Sequence, residues 1–168
     1  MRIGFGYDAH RLKQGRKCIL CGIEVPCSFG PDGHSDADVP LHALMDALLG
    51  ALALGDIGKF FPDSVEKWSG ADSAGLLKNV YNIISDRGYR LGNADITIVL
   101  ESPRLSPFIG QMRARIADVL AVDIDKVSVK ATTEEKMGFT GDGAGISSTA
   151  VVLLEKSGIS SQTGESVV

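Results

Sequence analysis

Residues 2–10 read Arg-Ile-Gly-Phe-Gly-Tyr-Asp-Ala-His, a stretch that predicts the first strand of a β-sheet. Asp8 and His10 stand two residues apart at the end of this strand. Because residues i and i+2 of a strand project to the same face, the carboxylate and the imidazole are expected to point into one space. The stretch therefore predicts both the start of the sheet and a pair of potential metal ligands at its end.

Downstream of this strand, helical and extended stretches mix without a strict βαβ alternation. Further strands are predicted near residues 18–25, 96–100, 127–132 and 146–155, with turn-rich or irregular segments at residues 28–38, 56–69 and 138–145. Three helices are predicted, at residues 39–55, at residues 72–86, and from the turn at residues 103–107 to about residue 120. Asp38 is placed to cap the first helix, and Gly55 to end it.

These elements predict a single domain of the α+β (mixed α/β) class over residues 1–156. We expect one mainly four-stranded sheet covered by helices. Residues 157–168 are rich in serine and glycine and are expected to form a disordered tail.

The composition excludes several classes of function. The net charge is −4 and no stretch gathers lysine or arginine, which argues against a nucleic-acid or membrane-surface partner. No apolar run reaches the ~18 residues of a membrane span. The N-terminal residues lack the pattern of a signal or transit peptide, so a cytoplasmic location is expected.

Cys18, Cys21, Cys27 and His34 superficially resemble a zinc knuckle. In a strand, however, residues three apart point to opposite faces, so Cys18 and Cys21 would need a turn between them to share one ion. We expect free, reduced thiols instead.

His42 lies in the first turn of the predicted first helix and completes a set of three possible ligands with Asp8 and His10. Such a set leaves a fourth position open, as catalytic zinc sites do, although manganese, cobalt or iron would also fit. Asp46, one helical turn beyond His42, is predicted to orient its imidazole. The alternative is that His42 is an ordinary helix-face histidine and Asp8 caps the strand end.

Three further segments carry polar groups suited to binding a substrate. His34 and Ser35 offer an imidazole and a hydroxyl, or a simple capping turn; Asp56 and Asp63 offer acceptors for substrate hydroxyls, or turn caps. Residues 130–136 place hydroxyls, backbone N–H groups and carboxylates at a strand end, which suits phosphates and Mg²⁺, or an ordinary charged surface. The glycines of residues 138–145 precede a strand instead of opening a helix, so they fail the context test for a dinucleotide fingerprint.

The order and spacing of these motifs closely resemble one family. The motifs are Gly4-x-Gly-Tyr-Asp-x-His10, His34-Ser-Asp-x-Asp38, Leu41-His-Ala-Leu-x-Asp-Ala-Leu-Leu-Gly50, Ala53-Leu-Gly-Asp-Ile-Gly-x-x-Phe-Pro-Asp63, Ser102-Pro-Arg-Leu105 and Lys130-Ala-Thr-Thr-x-Glu-x-Met-Gly-Phe-x-Gly141. The family is 2-C-methyl-D-erythritol 2,4-cyclodiphosphate synthase of the non-mevalonate isoprenoid pathway, and the resemblance runs from Met1 to about Glu155.

The resemblance implies a phosphorus–oxygen lyase that acts as a homotrimer, with active sites between neighbouring subunits. The substrate would be 4-diphosphocytidyl-2-C-methyl-D-erythritol 2-phosphate, cyclised with release of CMP. Its own 2-phosphate attacks the β-phosphorus with the assistance of two metal ions, so the protein needs no nucleophile of its own.

The resemblance also assigns residues. Asp8, His10 and His42 would hold a divalent transition metal such as Zn²⁺, and Glu135 would hold Mg²⁺ or Mn²⁺ with the substrate diphosphate. His34 and Thr133 would stabilise the transition state. The substrate pocket would be formed by Asp8, His10, His34, Ser35, Asp56, Ile57, Gly58, Phe61, Pro62, Asp63, Leu100, Pro103, Arg104, Leu105, Ala131, Thr132, Thr133, Glu135 and Phe139.

Two alternatives compete with this interpretation. One is a metal-dependent phosphohydrolase that uses metal-activated water on a nucleotide diphosphate. The other is a trimeric binder of metal or nucleotide that has no catalytic activity. In addition, Asp142 stands where many family members carry an arginine that faces anions on the trimer axis, so we do not expect an isoprenoid diphosphate to bind in a central channel.

Overall fold

A mixed sheet of four longer strands and one short strand forms the centre of the fold. The computed structural model describes residues 1–62, 65 and 70–158. Its strands are β1 (Arg2–Gln14), β2 (Cys18–Leu20), β3 (Ile23–Val25), β4 (Phe29–Pro31), β5 (Tyr89–Val99), β6 (Val127–Thr132) and β7 (Gly145–Lys156). The sheet order is β4-β1-β7-β5-β6, and β2 and β3 form a separate hairpin.

Helix α1 packs directly against strand β1. The helices are α1 (Val39–Ala51), α2 (Ile57–Phe60), α3 (Ser73–Asp86), α4 (Ile109–Leu120) and α5 (Gly138–Gly141). Two glycines of β1 permit the contact: a Cβ added to Gly4 would lie 1.8 Å from the Ala47 carbonyl oxygen, and one added to Gly6 would lie 2.0 Å from that of Ala43. The close approach brings His42 on α1 over Asp8 in the middle of β1.

Burial explains why α1 runs through the centre of the molecule. Eleven of its side chains are buried, including Leu41, Leu44 and Leu48, so the helix is apolar on nearly every side. Its N-terminus is capped by Asp38, whose carboxylate accepts a hydrogen bond from the Leu41 N–H at 3.2 Å. Burial raises the pKa of Asp38 to about 7.

Strand register places the predicted site segments at one end of the sheet. Asp8 on β1 pairs with Ser148 on β7, Ser148 pairs with Ile98 on β5, and Ile98 pairs with Ala131 on β6. Three strand spacings separate Asp8 from Ala131, about 14 Å in all. The metal-ligand segment and the predicted phosphate-binding segment therefore lie at the same end of the sheet but are too far apart to touch.

The structure confirms the predicted fold class, the four longer strands and the three long helices. Strand β4 was not predicted, because its three residues, Phe-Gly-Pro, lack the pattern of a strand. The predicted strand at residues 18–25 is a hairpin that turns at Cys21 and Gly22, both with positive φ. Short helices α2 and α5 lie within segments predicted to be irregular, and α1 ends at Ala51, before Gly55.

Two predictions concern the remaining parts of the chain. The tail prediction falls mainly on residues 159–168, which lie outside the described residues. Among the helices that the structure describes, none combines the length and the apolar character needed to cross a bilayer.

Candidate active site

The middle of β1 and the first turn of α1 bring Asp8, His10 and His42 into one cluster, because β1 continues past its predicted end at His10 to pair with β4 as far as Gln14. The Asp8 Oδ2 atom lies 3.0 Å from His42 Nδ1 and 3.2 Å from His10 Nε2. One potential ligand atom from each residue lies within 4.8 Å of the other two. One carboxylate and two imidazoles at this separation fit a divalent transition metal with an open position for substrate.

The far nitrogen of each imidazole is occupied by another partner. His10 Nδ1 lies 2.8 Å from the Asp32 carbonyl oxygen, an acceptor only, so Nδ1 carries a proton and Nε2, which faces Asp8, is the nitrogen that a metal ion would take. His42 Nε2 lies 3.0 Å from Ser73 Oγ and 3.4 Å from Ser35 Oγ. The nitrogens that remain free of these partners are the two that face Asp8, as a metal site requires.

Electrostatics make the cluster a cation site. Burial alone would raise the pKa of Asp8, but its hydrogen bonds with His10 and His42 outweigh burial and hold that pKa well below its usual range. The hydrogen bond to Asp8 raises the pKa of His10, against the opposing effect of burial. Asp8 is therefore a persistent anion that attracts positive charge, supplied by protons or by a metal ion.

Asp46 does not orient His42 as the sequence predicted. Its Oδ1 atom accepts a hydrogen bond from the Ile57 N–H at 2.8 Å, which holds the start of α2 against α1. The two nitrogens of the His42 ring are instead occupied by Asp8 on one side and the serine hydroxyls on the other. Burial raises the pKa of Asp46.

A cavity of about 260 Å³ opens beside the cluster. It brings together most of the residues predicted for the metal and the sugar phosphate; its lining consists of Asp8, His10, Gly33, His34, Ser35, His42, Ile57, Gly58, Phe61 and Leu76. Asp56 caps α2 through a 3.2 Å hydrogen bond from the Lys59 N–H. Pro62 follows this helix, and Asp63 lies outside the described residues.

A second cavity, of about 250 Å³, lies between the end of β5 and the end of β6. Its lining contains seven residues predicted for the substrate pocket, together with Glu101 and Ser106: Leu100, Glu101, Pro103, Arg104, Leu105, Ser106, Ala131, Thr132 and Thr133. No described residue lines both this cavity and the one beside the metal ligands.

Glu135 and Phe139 lie on the segment between β6 and β7. The exposed Glu135 accepts a hydrogen bond from Thr133 Oγ1 at 3.1 Å, so the predicted transition-state and metal residues contact each other. Glu135 and Lys136 both have positive φ, at 51° and 64°, a conformation that costs energy for residues other than glycine. Phe139 lines a third cavity, together with His10 and Gly145.

A mixed α/β fold in which an Asp-His-His cluster that could hold a metal ion lines a cavity is the arrangement of a small-molecule enzyme site. The chain belongs to the YgbB family, which it matches over residues 1–155.

Known relatives carry a consistent name. Over 154 residues the chain is 56% identical to a Clostridioides difficile protein named 2-C-methyl-D-erythritol 2,4-cyclodiphosphate synthase, covering 92% of this chain and 96% of that protein.

Solved structures agree with this relationship. The bifunctional IspDF of Campylobacter jejuni superposes with a TM-score of 0.89 at 39% identity, over 92% of this chain and 42% of that longer chain. The CDP complex of IspF from Plasmodium falciparum superposes with a TM-score of 0.83 at 32% identity, over 94% of this chain and 97% of that one.

Proposed function

We propose that the protein converts 4-diphosphocytidyl-2-C-methyl-D-erythritol 2-phosphate into 2-C-methyl-D-erythritol 2,4-cyclodiphosphate and CMP, a phosphorus–oxygen lyase reaction of non-mevalonate isoprenoid synthesis. The observation that carries the proposal is that Asp8, His10 and His42 line the same cavity as His34 and Ser35, in a member of the YgbB family. The test is equimolar formation of CMP and the cyclic diphosphate by the purified protein. A cytoplasmic location stays a prediction from the sequence.

The metal ligands fall into two groups. Asp8, His10 and His42 would hold one divalent transition metal, for which zinc is our proposal, and Glu135 would hold Mg²⁺ or Mn²⁺ beside the nucleotide cavity. When bound, such cations neutralise the charge that develops on phosphoryl oxygens.

The chemistry needs positioning more than reactive side chains. The substrate's 2-phosphate oxygen forms a bond to the β-phosphorus, and the bond from that phosphorus to the bridging oxygen breaks as CMP leaves with the electron pair. Holding the two phosphates for in-line attack can lower the barrier by ~7–11 kcal/mol. His34 and Thr133 would stabilise the transition state, because each is a polar residue that lines one of the two cavities.

The first cavity would take the methylerythritol phosphate. Ser35, Ile57 and Gly58 line it, and Phe61 supplies an apolar wall. Asp56 and Asp63 are proposed as acceptors for substrate hydroxyls.

The second cavity would take the cytidine and its phosphates. Its lining of proline, leucine and alanine beside threonine hydroxyls and Arg104 combines apolar contact for a base with donors for phosphate. The related Plasmodium falciparum structure is a CDP complex, which supports a cytidine nucleotide as the occupant.

We propose a homotrimer in which the first cavity of one subunit faces the second cavity of its neighbour. Within one chain the two cavities share no described residue, and about 14 Å separate the strands that carry them. A single diphosphate would therefore contact both kinds of cavity only if the second one belongs to a neighbouring subunit. An apolar patch on the sheet supports association: the exposed fractions of Ile3, Phe5 and Tyr7 on β1 are 73%, 63% and 51%. Val151, the cross-strand partner of Phe5, is also exposed.

Mixed trimers would test this arrangement. His42→Ala disables the first cavity and Glu135→Ala the second, so each variant alone is expected to be inactive. Random co-assembly of equal amounts should restore about a quarter of the sites, because each restored site needs one intact half from each of two subunits. The restored activity is measured as turnover by co-expressed variants. The control is a mixture of the separately purified variants under conditions in which trimers do not exchange subunits. Activity in neither preparation would contradict sites shared between subunits.

A further inference from the structure

Ser73, the first residue of α3, connects the metal cluster to the loop before α1. Its side chain is fully buried, and its Oγ atom lies 3.0 Å from His42 Nε2. The same oxygen donates to Asp36 Oδ1 at 2.5 Å, and the Ser73 N–H donates to Asp36 Oδ2 at 3.0 Å. Ser73 therefore bridges an imidazole and a carboxylate.

The bridge determines the direction of each hydrogen bond. A hydroxyl has one proton, and a carboxylate can only accept, so the Ser73 proton belongs to the bond with Asp36. The Ser73 oxygen then has only lone pairs for His42 and must accept the proton of Nε2. Nδ1, which hydrogen-bonds Asp8 at 3.0 Å, is therefore the nitrogen of His42 whose lone pair becomes available when a metal ion replaces the proton shared with Asp8.

The same contacts hold the segment that carries His34 and Ser35. The Gly70 N–H donates to the His34 carbonyl oxygen at 2.8 Å, and the Asp36 N–H donates to the Ala71 carbonyl oxygen at 3.2 Å. Together with the two bonds from Ser73 to Asp36, they fix residues 34–36 against the start of α3. The loop and the His42 ring are thus positioned by one set of bonds.

We infer that Ser73 and Asp36 are positioning residues for the proposed metal site: they select Nδ1 of His42 as the ligand atom and hold the adjoining loop. A serine at a helix start is usually read as a cap, but here the capping group is Asp72, which accepts from the Ala74 N–H. The Ser73 hydroxyl is therefore available to act on the ring. The inference rests on the proposed metal site but not on the identity of the substrate.

Metal affinity tests the inference without any substrate. Metal-free wild type and Ser73→Ala are titrated with Zn²⁺ and with Co²⁺ by calorimetry, and we expect the variant to bind 10–100-fold more weakly, the usual loss when the partner of a histidine ligand is removed. Ser85→Ala is the matched control, because Ser85 lies on the same helix and its hydroxyl donates to the Tyr81 carbonyl oxygen, far along α3. Its affinity should equal that of wild type.

Two further measurements separate positioning from a merely structural role. Asp36→Asn should weaken metal binding in the same direction, and the double variant should lose little more than Ser73→Ala alone, because both residues act through one hydrogen bond. Activity of Ser73→Ala should fall at limiting Zn²⁺ and recover at saturating Zn²⁺.

Wild-type metal affinity in a folded Ser73→Ala variant would overturn the inference. So would a double variant whose loss of binding free energy equals the sum of the two single losses. If Ser73→Ala fails to fold, the Asp36→Asn titration decides alone: unchanged affinity rejects the positioning role. Because these titrations contain no substrate, a failure of the proposed reaction would leave their outcome unaffected.

Discussion

Replacing His42 by alanine is expected to lower kcat/KM for cyclodiphosphate formation by at least about a thousandfold, or about 4 kcal/mol of transition-state stabilisation. The ring supplies one of three ligand atoms, and its Nδ1 lies 3.0 Å from Asp8. Without it, Asp8 and His10 form a two-ligand site that cannot retain the metal at useful concentrations. Steady-state turnover and Zn²⁺ calorimetry on the purified variant measure the two effects.

Asp46→Asn is the control for this variant. It changes a carboxylate one helical turn from His42 that bonds to the Ile57 backbone and not to the ring, so Zn²⁺ affinity should match wild type. Full turnover by His42→Ala, or Zn²⁺ binding at wild-type affinity, would show that the cluster is not the metal site.

Substituting Gly6 by alanine is expected to destabilise the protein by about 3 kcal/mol or more. The new Cβ would lie 2.0 Å from the Ala43 carbonyl oxygen and 2.7 Å from the Ala47 nitrogen, both backbone atoms of α1. Relief requires β1 and α1 to separate, which also moves Asp8 and His10 away from His42. Urea unfolding followed by circular dichroism measures the change in the free energy of unfolding.

Gly50→Ala provides the matched comparison within the same pair of elements. Gly50 lies in α1, is exposed, and a Cβ there would approach no closer than 3.8 Å to the Phe5 carbonyl oxygen. Alanine should stabilise the helix by about 0.5–1 kcal/mol. Equal unfolding midpoints for wild type and Gly6→Ala would contradict the close packing of β1 on α1.

The long elements were predictable because their signals are local. Strand parity correctly placed Asp8 and His10 in one space, and Asp38 marked the start of α1. Local signals could not predict the contact between Asp8 and His42, because it spans 34 residues and depends on the two glycines of β1. His42 was assigned to the cluster by its residue type and by the family resemblance.

The surroundings of the cluster could not be predicted in the same way. Asp46 was assigned to His42 because residues four apart on a helix are neighbours, yet the ring turns toward β1 and α3 instead. Ser73 was missed because a serine at a helix start looks like an ordinary cap, and nothing local indicates that α3 packs near α1. The residues of the second cavity were predicted only from the family resemblance, because their polar side chains are equally typical of an ordinary charged surface.

Phosphorus NMR of one reaction in ¹⁸O-labelled water tests the proposed function most directly. Purified protein with Zn²⁺ and Mg²⁺ is given the cytidyl substrate, and we expect CMP and the cyclic diphosphate to appear at equal rates. Neither product should carry ¹⁸O, because the substrate's own phosphate is the nucleophile. Solvent oxygen in the products would indicate a phosphohydrolase, and the absence of CMP would contradict the proposed reaction altogether.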